Sequence, residues 1–487
     1  MILDKIKSRL KREKKIKNLR DIKVALIADQ FTYDSYKYEF NAITINPDDW
    51  KEKFKTEKPD IFLCESAWDG HNFEGLYGPW REKIYQKLNE KENRTILFEI
   101  LEYCQKNSIP TVFWNKEDPP HYKDHRLSYA DTASRFDYIF TTSANCIKHY
   151  KKDFNHPHVY SLMFAGQPRL FNPLNISEET IDDVVFAGSY YEDKPERARL
   201  MDDIFDRLIA EGVSLRIYDR QHFKNWGNYP ERFQAYTLPP IDYKDTADIY
   251  KKMKWGLNFN IVTDSETMFA RRVFELALSN VYIITNYSLG VCKIFDDNIF
   301  VFDREDGIPD FTKDYESERM NNLYNVLENH TYKNRWKQIL DTIGFEYAEE
   351  RQDIAVIYKL NDESEINTIL SDFKSIDYPE KTLNIIADDS LKDLKEKYGE
   401  IDGIYPSFNK LKKGISAKYI ILIDGDMDND FIRKAILHYQ YLDKDIAIAQ
   451  GSNKFSLNDE IGIENKVIPL ENMDLADSDV KIKVYYI

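Results

Sequence analysis

The chain has 487 residues, of which 42% are hydrophobic and 31% are charged, and its formal net charge at pH 7 is −16. This composition is typical of a soluble globular protein, and the length predicts two or three domains rather than one core. The negative balance argues against a nucleic-acid partner, because neutralising phosphates requires a basic surface.

The first twenty residues are basic but lack the apolar segment of a signal peptide. Leu3, Ile6 and Leu10 are spaced as on one helix face, so residues 1–20 are predicted to be a basic helix in weak contact with a membrane surface, or a solvated tail. The weak apolar stripe favours the tail. The sequence contains no membrane-spanning run, and its four cysteines form no CxxC pair, which together indicate a cytoplasmic protein with reduced thiols.

Strands and helices alternate from residue 21 to residue 170. Strands are predicted for the runs IKVALIADQF, KPDIFLCESAW, TVFWNKEDPP and FDYIFTTS, and helices for RTILFEILEYCQKNSIP and ANCIKHYKKDF. This order predicts an α/β, Rossmann-like domain with a parallel sheet covered on both faces.

Acids and a histidine follow two of these strands, among aromatic residues. Glu65 ends one apolar run, and Glu117, Asp118 and His121 follow the next in NKEDPPHYKDH. Such groups at strand ends can remove the proton of a sugar hydroxyl, so all four are candidate catalytic residues. The sequence does not choose among them, and solvated acidic loops are the alternative interpretation.

A second alternation begins after the Pro- and Asn-rich linker FAGQPRLFNPLNISEE and predicts a second Rossmann-like domain at residues 171–350. Its first strand ends at Gly188 and Ser189, before a helix that contains Arg197 and Arg199. Small residues there allow backbone N–H groups to approach a phosphate, and the helix start adds partial positive charge. A full GxGxxG pattern is absent, and a surface-charged helix is the alternative.

The run SETMFARRVFELALSN predicts a helix that starts near residue 265. Its candidate N-caps are Asp264, Ser265 and Thr267. Arg271 and Arg272 then fall in the first turns, where a cation opposes the helix dipole. A diphosphate would compensate through bidentate contacts, and Glu275 one turn later would accept ribose hydroxyls. The alternative is that the two arginines pair with nearby acids.

Residues 351–487 predict a third, smaller α/β domain with strands in DIAVIYKLND, LNIIADDS and AKYIILIDGDMDND. Asp424 and Asp426 form a DxD pattern at the end of the last of these strands. Hard cations prefer carboxylate oxygens, so Mg²⁺ or Mn²⁺ bridging a diphosphate is predicted there, with an acidic turn as the alternative.

Several segments together resemble the CgeB-like (spore maturation protein type) glycosyltransferases of bacteria, over about residues 55–345. They are FWNKEDPPHY, FDYIFTTSANCIKHY, MFAGQPRLFNP, VVFAGSYYEDKPERARLM, LRIYDRQ, WGLNFNIVTDSETMFARRVFELA and HTYKNRWKQIL. The resemblance implies a GT-B fold, in which two Rossmann-like domains face a cleft, the first binding acceptor and the second a nucleotide-sugar donor without a required cofactor.

The resemblance also implies donor-binding residues, namely Gly188, Ser189, Arg220, Asn260, Arg271, Arg272 and Glu275. The better-known GT-B enzymes have two glutamates with seven residues between them, whereas Glu266 and Glu275 have eight between them. The resemblance therefore implies a donor-binding role for Glu275 but not for Glu266.

Residues 351–487 resemble the front half of a family 2, GT-A-type glycosyltransferase, with Asp388 and Asp389 in its nucleotide-binding start and Asp424 and Asp426 as its DxD. The acceptor-binding half of that family is not expected in the sequence. This implies a degenerate remnant, an assembly module or an interrupted domain.

The predicted function is transfer of a sugar from a nucleotide-diphosphate sugar to a hydroxyl acceptor on a cell-surface or spore-coat glycan, polymer or protein. One alternative is a non-catalytic nucleotide- or glycan-binding scaffold of a surface-polymer assembly complex. Another is that the GT-A-like region is the active transferase. Retaining and inverting mechanisms are both open.

Overall fold

The computed structural model describes residues 16–85, 92–176, 180–222, 229–452, 454–477 and 481–487. Residues 1–15 of the predicted basic helix or tail, including Leu3, Ile6 and Leu10, lie outside these described residues. Within them, no helix has both the length and the apolar character that crossing a membrane requires. All four cysteines are free thiols.

The first domain is built on a six-stranded parallel sheet with the order β3-β2-β4-β5-β6-β7. The strands are β1 Lys17–Asn18, β2 Lys23–Ile27, β3 Asn41–Thr44, β4 Ile61–Glu65, β5 Thr111–Asn115, β6 Tyr138–Thr141 and β7 Val159–Ser161. The helices are α1 Gln30–Tyr36, α2 Trp50–Glu57, α3 Thr95–Lys106, α4 Tyr129–Ala133 and α5 Ala144–Phe154, with a 3-10 turn at Leu19–Asp21. Strands β4 and β5 are buried throughout, because helices cover both faces of the sheet.

The second domain has another six-stranded parallel sheet, ordered β10-β9-β8-β11-β12-β13. Its strands are β8 Ile181–Ala187, β9 Leu215–Tyr218, β10 Thr237–Leu238, β11 Met253–Asn258, β12 Tyr282–Thr285 and β13 Phe300–Val301, and β14 Tyr347–Ala348 follows and pairs with β1. The helices are α6 Pro195–Ala210, α7 Glu231–Gln234, α8 Tyr243–Tyr250, α9 Arg272–Leu278, α10 Leu289–Phe295, α11 Glu316–Asn329 and α12 Tyr332–Ile343, with a 3-10 turn at Asp296–Asn298. This is the Rossmann strand order, and its direction of winding reverses between β8 and β11.

The two parallel sheets face one another through the loops that follow their strands. The Thr267 hydroxyl accepts from the backbone N–H of Ala144 and donates to the carbonyl of Thr142, both at 2.8 Å. The Phe31 ring meets the Tyr243 ring edge-on at 4.7 Å. The α/β architecture of two Rossmann-like domains facing a cleft, the GT-B fold class expected from the resemblance, is confirmed.

Helix α12 lies beyond the second sheet in sequence but packs against the first. Its buried Tyr332 and Trp336 belong to the same apolar cluster as Tyr36 and Trp114 of the first domain. The Tyr332 ring meets the Tyr36 ring edge-on at 4.8 Å. Helix α12 therefore adds apolar contacts between the second and the first domain.

The third domain contains an eight-stranded sheet ordered β17-β16-β15-β18-β21-β19-β22-β20. Its strands are β15 Ile354–Lys359, β16 Lys381–Ile386, β17 Ile401–Tyr405, β18 Tyr419–Ile423, β19 Ile446–Ala449, β20 Leu457–Glu460, β21 Lys466–Pro469 and β22 Ile482–Tyr486. The helices are α13 Ile366–Ser375, α14 Leu394–Lys397, α15 Phe408–Gly414 and α16 Phe431–His438, with 3-10 segments at Glu363–Glu365, Asp389–Leu391 and Leu470–Asp477. The strands β15 to β18 pair in parallel, whereas β21 pairs antiparallel with both β18 and β19.

Candidate active site

The turn after β8 lies where the winding of the second sheet reverses, the position at which such sheets bind ligands. The N–H of Gly188 donates to the carbonyl of Tyr218 at 3.0 Å, and the Tyr229 hydroxyl donates to the carbonyl of Gly188 at 3.1 Å. A Cβ on Gly188 would lie 2.6 Å from the Phe186 ring and 3.1 Å from the Arg272 guanidinium. A glycine is therefore needed for Arg272 to pack against this turn.

Three guanidinium groups surround the turn, and we call Arg197, Arg220 and Arg272 the arginine cluster. Arg197 donates to the carbonyl of Ser189 at 3.1 Å, Arg220 donates to the hydroxyl of Tyr191 at 2.9 Å, and Arg272 donates to the carbonyl of Ala187. Within the described ranges, none of the three forms an ion pair with a carboxylate. The cluster thus concentrates positive charge that the surrounding side chains do not neutralise.

The electrostatics of the cluster match this geometry. Burial, together with the neighbouring Arg272 and Arg220, lowers the pKa of Arg197 to about 10, although Tyr229 and Tyr191 oppose the shift. The buried Ser189 hydroxyl has no hydrogen-bond partner in the part of the chain that the structure describes. A bound anion would relieve both the mutual repulsion and the unpaired hydroxyl, since both costs are electrostatic.

The helix predicted to start near Ser265 begins instead at Arg272, with Arg271 at the N-cap and no side-chain cap. The predicted caps were therefore wrong. The reason is that the preceding segment is held by other contacts: the Ser265 hydroxyl accepts from the N–H groups of Thr267 and Met268, while Thr267 binds the first domain. The segment is used to join the domains rather than to extend the helix.

Arg271 and Glu275 bind each other. The Arg271 Nε donates to Glu275 Oε1 at 2.6 Å, and the Tyr243 hydroxyl donates to the same oxygen at 3.0 Å. The Arg271 guanidinium lies over the rings of Phe31 and Tyr243 at 4.7 and 4.8 Å. Arg271 therefore pairs with a nearby acid, which was the alternative prediction for the two arginines. Arg272 does not pair with an acid within the described part of the chain, and it belongs to the arginine cluster instead. Direct contacts of Arg271 and Glu275 with a donor stay predictions.

Asn260 lies in a buried polar network beyond the ends of β11 and β12. Its amide donates to the Thr285 hydroxyl at 3.1 Å, and its oxygen accepts from the N–H of Ala270 at 3.0 Å and from Asn258 at 3.1 Å. Its donor and acceptor atoms are used within this network, and a direct contact of Asn260 with a sugar donor stays a prediction.

In the first domain, Glu65 forms a buried ion pair that the sequence did not indicate. Its Oε2 lies 3.0 Å from the Lys116 Nζ, and its Oε1 accepts from the backbone N–H of Asp29 at 2.5 Å. The Glu65 side chain is 1% exposed and that of Lys116 is 13% exposed. Burial raises the pKa of Glu65 to about 7, and the Lys116 ammonium opposes that rise.

Asp118 is fully buried in a network of hydroxyl and amide donors. It accepts from the Thr141 hydroxyl at 2.6 Å, and from the Tyr150 hydroxyl and the Asn115 amide at 3.0 Å each. Burial raises the pKa of Asp118 to about 7. All these partners lie within the first domain, and a catalytic role for Asp118 stays a prediction.

Asp118→Asn is expected to flatten the pH dependence of stability. The pKa of Asp118 in the fold, about 7, lies above the ordinary value of 3.8, so its stabilising protonation is complete below pH 3.8 and is lost as the pH rises through 7. The free energy of unfolding therefore falls by about 1.4 kcal/mol per pH unit between pH 5 and 6, and by about half that rate once the pH reaches 7. Urea unfolding at pH 5, 6 and 7 measures the slope, and equal slopes for wild type and variant would contradict the assignment.

Glu117 and His121 are the accessible members of the predicted catalytic set. Glu117 Oε1 accepts from the Trp68 indole N–H at 3.1 Å, and its Oε2 lies 3.9 Å from His121 Nε2. The other ring nitrogen of His121 lies 3.8 Å from Asp124. Both side chains are partly exposed beyond the end of β5, so a bound hydroxyl can reach them.

The DxD pattern lies in the third domain, whereas the arginine cluster lies in the second and the predicted catalytic residues lie in the first. The N–H of Asp424 donates to the Asn465 side chain at 2.8 Å, and Asp426 lines a cavity of about 550 Å³ together with Asp428. Among the described residues, no group of three His, Cys, Asp or Glu side chains is placed to hold a metal ion. A divalent cation at Asp424 and Asp426 stays a prediction.

Residues 197–341 match the family model described as Glycosyl transferase-like. The matched segment contains all three members of the arginine cluster, together with Asn260, Arg271 and Glu275. None of the curated proteins matches the chain.

Solved structures with some likeness include glycosyltransferases. An alpha-glucosyltransferase (AGT) in complex with UDP is 13% identical, with a TM-score of 0.44 over 66% of this chain and 90% of its own. An S. aureus TarM mutant in complex with Fondaparinux, alpha-GlcNAc-glycerol and UDP is 10% identical, with a TM-score of 0.37 over 58% of this chain and 55% of its own. A GtfA/B complex is 12% identical, with a TM-score of 0.35 over 60% and 59%. Scores below 0.5 support no conclusion, so the architecture rests on the strand orders described above.

Proposed function

We propose that the protein transfers a sugar from a nucleotide-diphosphate sugar to a hydroxyl acceptor, with the diphosphate at the arginine cluster. The observation that supports this most is the set of three guanidiniums around Gly188 and Ser189, which have no ion-paired carboxylate among the described residues. It lies at the winding reversal of a domain that matches a glycosyltransferase family model. Guanidinium groups suit phosphate oxygens because they donate two parallel hydrogen bonds.

The chemistry follows from where charge develops. As the sugar–phosphate bond breaks, the leaving nucleoside diphosphate gains negative charge, and donors already in place stabilise that charge more than they stabilise the substrate. Arg272 and Arg197 would do this from the side of the second domain, with the Ser189 hydroxyl as a further donor. No metal is required for this step.

The acceptor would bind against the first domain. If the enzyme inverts configuration, a base must take the hydroxyl proton, and the accessible Glu117 and His121 pair fits that role better than the buried Glu65 and Asp118. A retaining mechanism needs no such base, and the geometry is compatible with both. The acceptor that we propose, from the CgeB-like resemblance, is a hydroxyl of a surface or spore-coat glycan or polymer.

The test is a panel of UDP-, GDP-, dTDP- and CDP-sugars, with release of nucleoside diphosphate and sugar transfer followed by mass spectrometry. We expect turnover with at least one donor. Nucleotide binding without turnover for every donor would instead favour the alternative of a non-catalytic scaffold. Transfer that requires Mn²⁺ and disappears in Asp424→Asn would assign the activity to the third domain.

Gly188→Ala is expected to weaken nucleoside diphosphate binding about tenfold or more, a cost of about 1.4 kcal/mol. The added Cβ would overlap the Phe186 ring at 2.6 Å and displace the Arg272 guanidinium, which lies 3.1 Å away. Isothermal titration calorimetry measures the change. Gly399→Ala is the matched control, because a Cβ there meets nothing within 4 Å. Equal dissociation constants for both variants would contradict the prediction.

A further inference from the structure

A basic cavity of about 460 Å³ lies where the first domain, the linker after it and the third domain meet. Arg20 reaches it from the turn before β2, Arg169 from the linker, Lys418 from the residue before β18, and Lys444 from the loop before β19. We call this cavity the junction pocket. Its positive side chains are far apart in sequence, so the fold itself brings them together.

The acids at the junction pocket are already paired. Glu350 accepts from Lys333 Nζ at 2.7 Å, and Glu471 lies 3.0 Å from Lys444 Nζ. The neighbouring Glu39 is buried and accepts from the Gln167 amide at 2.8 Å. The lining still carries four cations, Arg20, Arg169, Lys418 and Lys444, against the two acids Glu350 and Glu471.

Three cations at the pocket have no carboxylate in direct contact among the described residues. Arg20, Arg169 and Lys418 form no ion pair with a carboxylate among the residues described here. Burial lowers the pKa of the Lys418 ammonium, and Lys333, Lys444 and Arg20 lower it further, while Glu350 raises it. A concave surface with excess positive charge is unusual for a chain whose net charge is −16, and an anion would relieve the repulsion.

One wall of the junction pocket is apolar. It includes Tyr419 and Tyr439, whose rings stack with centroids 4.9 Å apart, and also Leu442 and Pro469. A volume of about 460 Å³ lies within the range of small-molecule sites, which are usually apolar with a few polar groups for orientation. The lining thus suits a ligand with a negatively charged end and a ring.

We propose that the junction pocket binds a small phosphorylated metabolite with a ring, either a sugar phosphate or a nucleotide. Arg20, Arg169 and Lys418 hold the phosphate, and the ring lies against the tyrosine-lined wall. Because the cations belong to different domains, the ligand fastens the third domain to the first. The site shares no residue with the arginine cluster, and its ligand does not depend on the proposed transfer activity.

The experiment is calorimetric titration and thermal unfolding of the full chain with inorganic phosphate, glucose 1-phosphate and uridine monophosphate at constant ionic strength. We expect a ring-bearing phosphate to bind more tightly than inorganic phosphate and to raise the unfolding temperature. Tighter binding of glucose 1-phosphate identifies a sugar phosphate, and tighter binding of the monophosphate identifies a nucleotide. Arg169→Ala and Lys418→Ala should each weaken that binding about tenfold or more, a loss typical of a charge-assisted contact.

Controls separate this site from the donor site. Binding should persist in Arg272→Ala and in Arg199→Ala, whose side chain is exposed on α6. Arg20→Ala replaces Lys418→Ala should the latter fail to fold. The proposal is overturned by loss of binding in Arg272→Ala with retention in Arg169→Ala, by equal binding of inorganic phosphate, or by no binding of any probe at millimolar concentration.

Discussion

Arg272→Ala is expected to lower turnover of the preferred nucleotide sugar about a hundredfold, the usual effect of removing one donor that stabilises developing charge. Arg272 is the first residue of α9, and its guanidinium reaches the Ala187 carbonyl at the turn where the diphosphate would lie. The loss should appear mainly in kcat, because the leaving group gains charge only as the bond breaks. Steady-state kinetics with the donor found in the panel measures it.

Two further variants make the result specific. Arg272→Lys should recover only part of the activity, since an ammonium keeps the charge but lacks the planar fork of donors. Arg199→Ala should change nothing, because Arg199 is exposed on the same helix as the buried Arg197. Normal turnover in Arg272→Ala, with unchanged folding of all three variants, would remove Arg272 from the mechanism.

Lys116→Met is expected to destabilise the first domain by about 3 kcal/mol at pH 8, because it leaves the Glu65 carboxylate buried without its partner. The effect should shrink towards pH 5. Burial already raises the pKa of Glu65, and without Lys116 the carboxyl protonates more readily, so the unpaired charge disappears as the pH falls. The first unfolding transition in urea, measured at both pH values, reports the difference.

The matched control is the exposed pair between Lys51 and Glu99, which lie 2.9 Å apart with side chains 70% and 53% exposed. Lys51→Met should cost less than about 1 kcal/mol at either pH, as surface pairs usually do. The double variant Glu65→Gln with Lys116→Met should recover part of the loss, since no charge then remains buried. An equal cost for Lys116→Met and Lys51→Met would show that the buried pair adds no stability.

The strands of the parallel sheets could be predicted from the sequence because they are short apolar runs that end in polar residues. Strands β4, β5 and β18 are of this kind. The antiparallel strands of the third domain were not predicted. Strand β20, for example, reads LNDE and is largely exposed, so it has no apolar run to reveal it.

The candidate site could be predicted only in part. The Gly188 turn was visible as small residues between a strand and a helix, and Arg272 as a cation at a predicted helix start. The helix start itself was misplaced because contacts across the domain interface hold the preceding segment. The pairing of Glu65 with Lys116 depends on the neighbouring positions of β4 and β5 in the sheet. Arg197 was visible as a charged helix residue, but its burial beside two other guanidiniums comes from the fold.

The most direct test is a crystal structure of the protein with the nucleoside diphosphate of its preferred donor. The account predicts diphosphate oxygens within hydrogen-bond distance of the Arg197 and Arg272 guanidiniums and of the Ser189 hydroxyl, beside the Gly188 turn. A diphosphate bound elsewhere, with both guanidiniums still on the backbone carbonyls of Ser189 and Ala187, would contradict it.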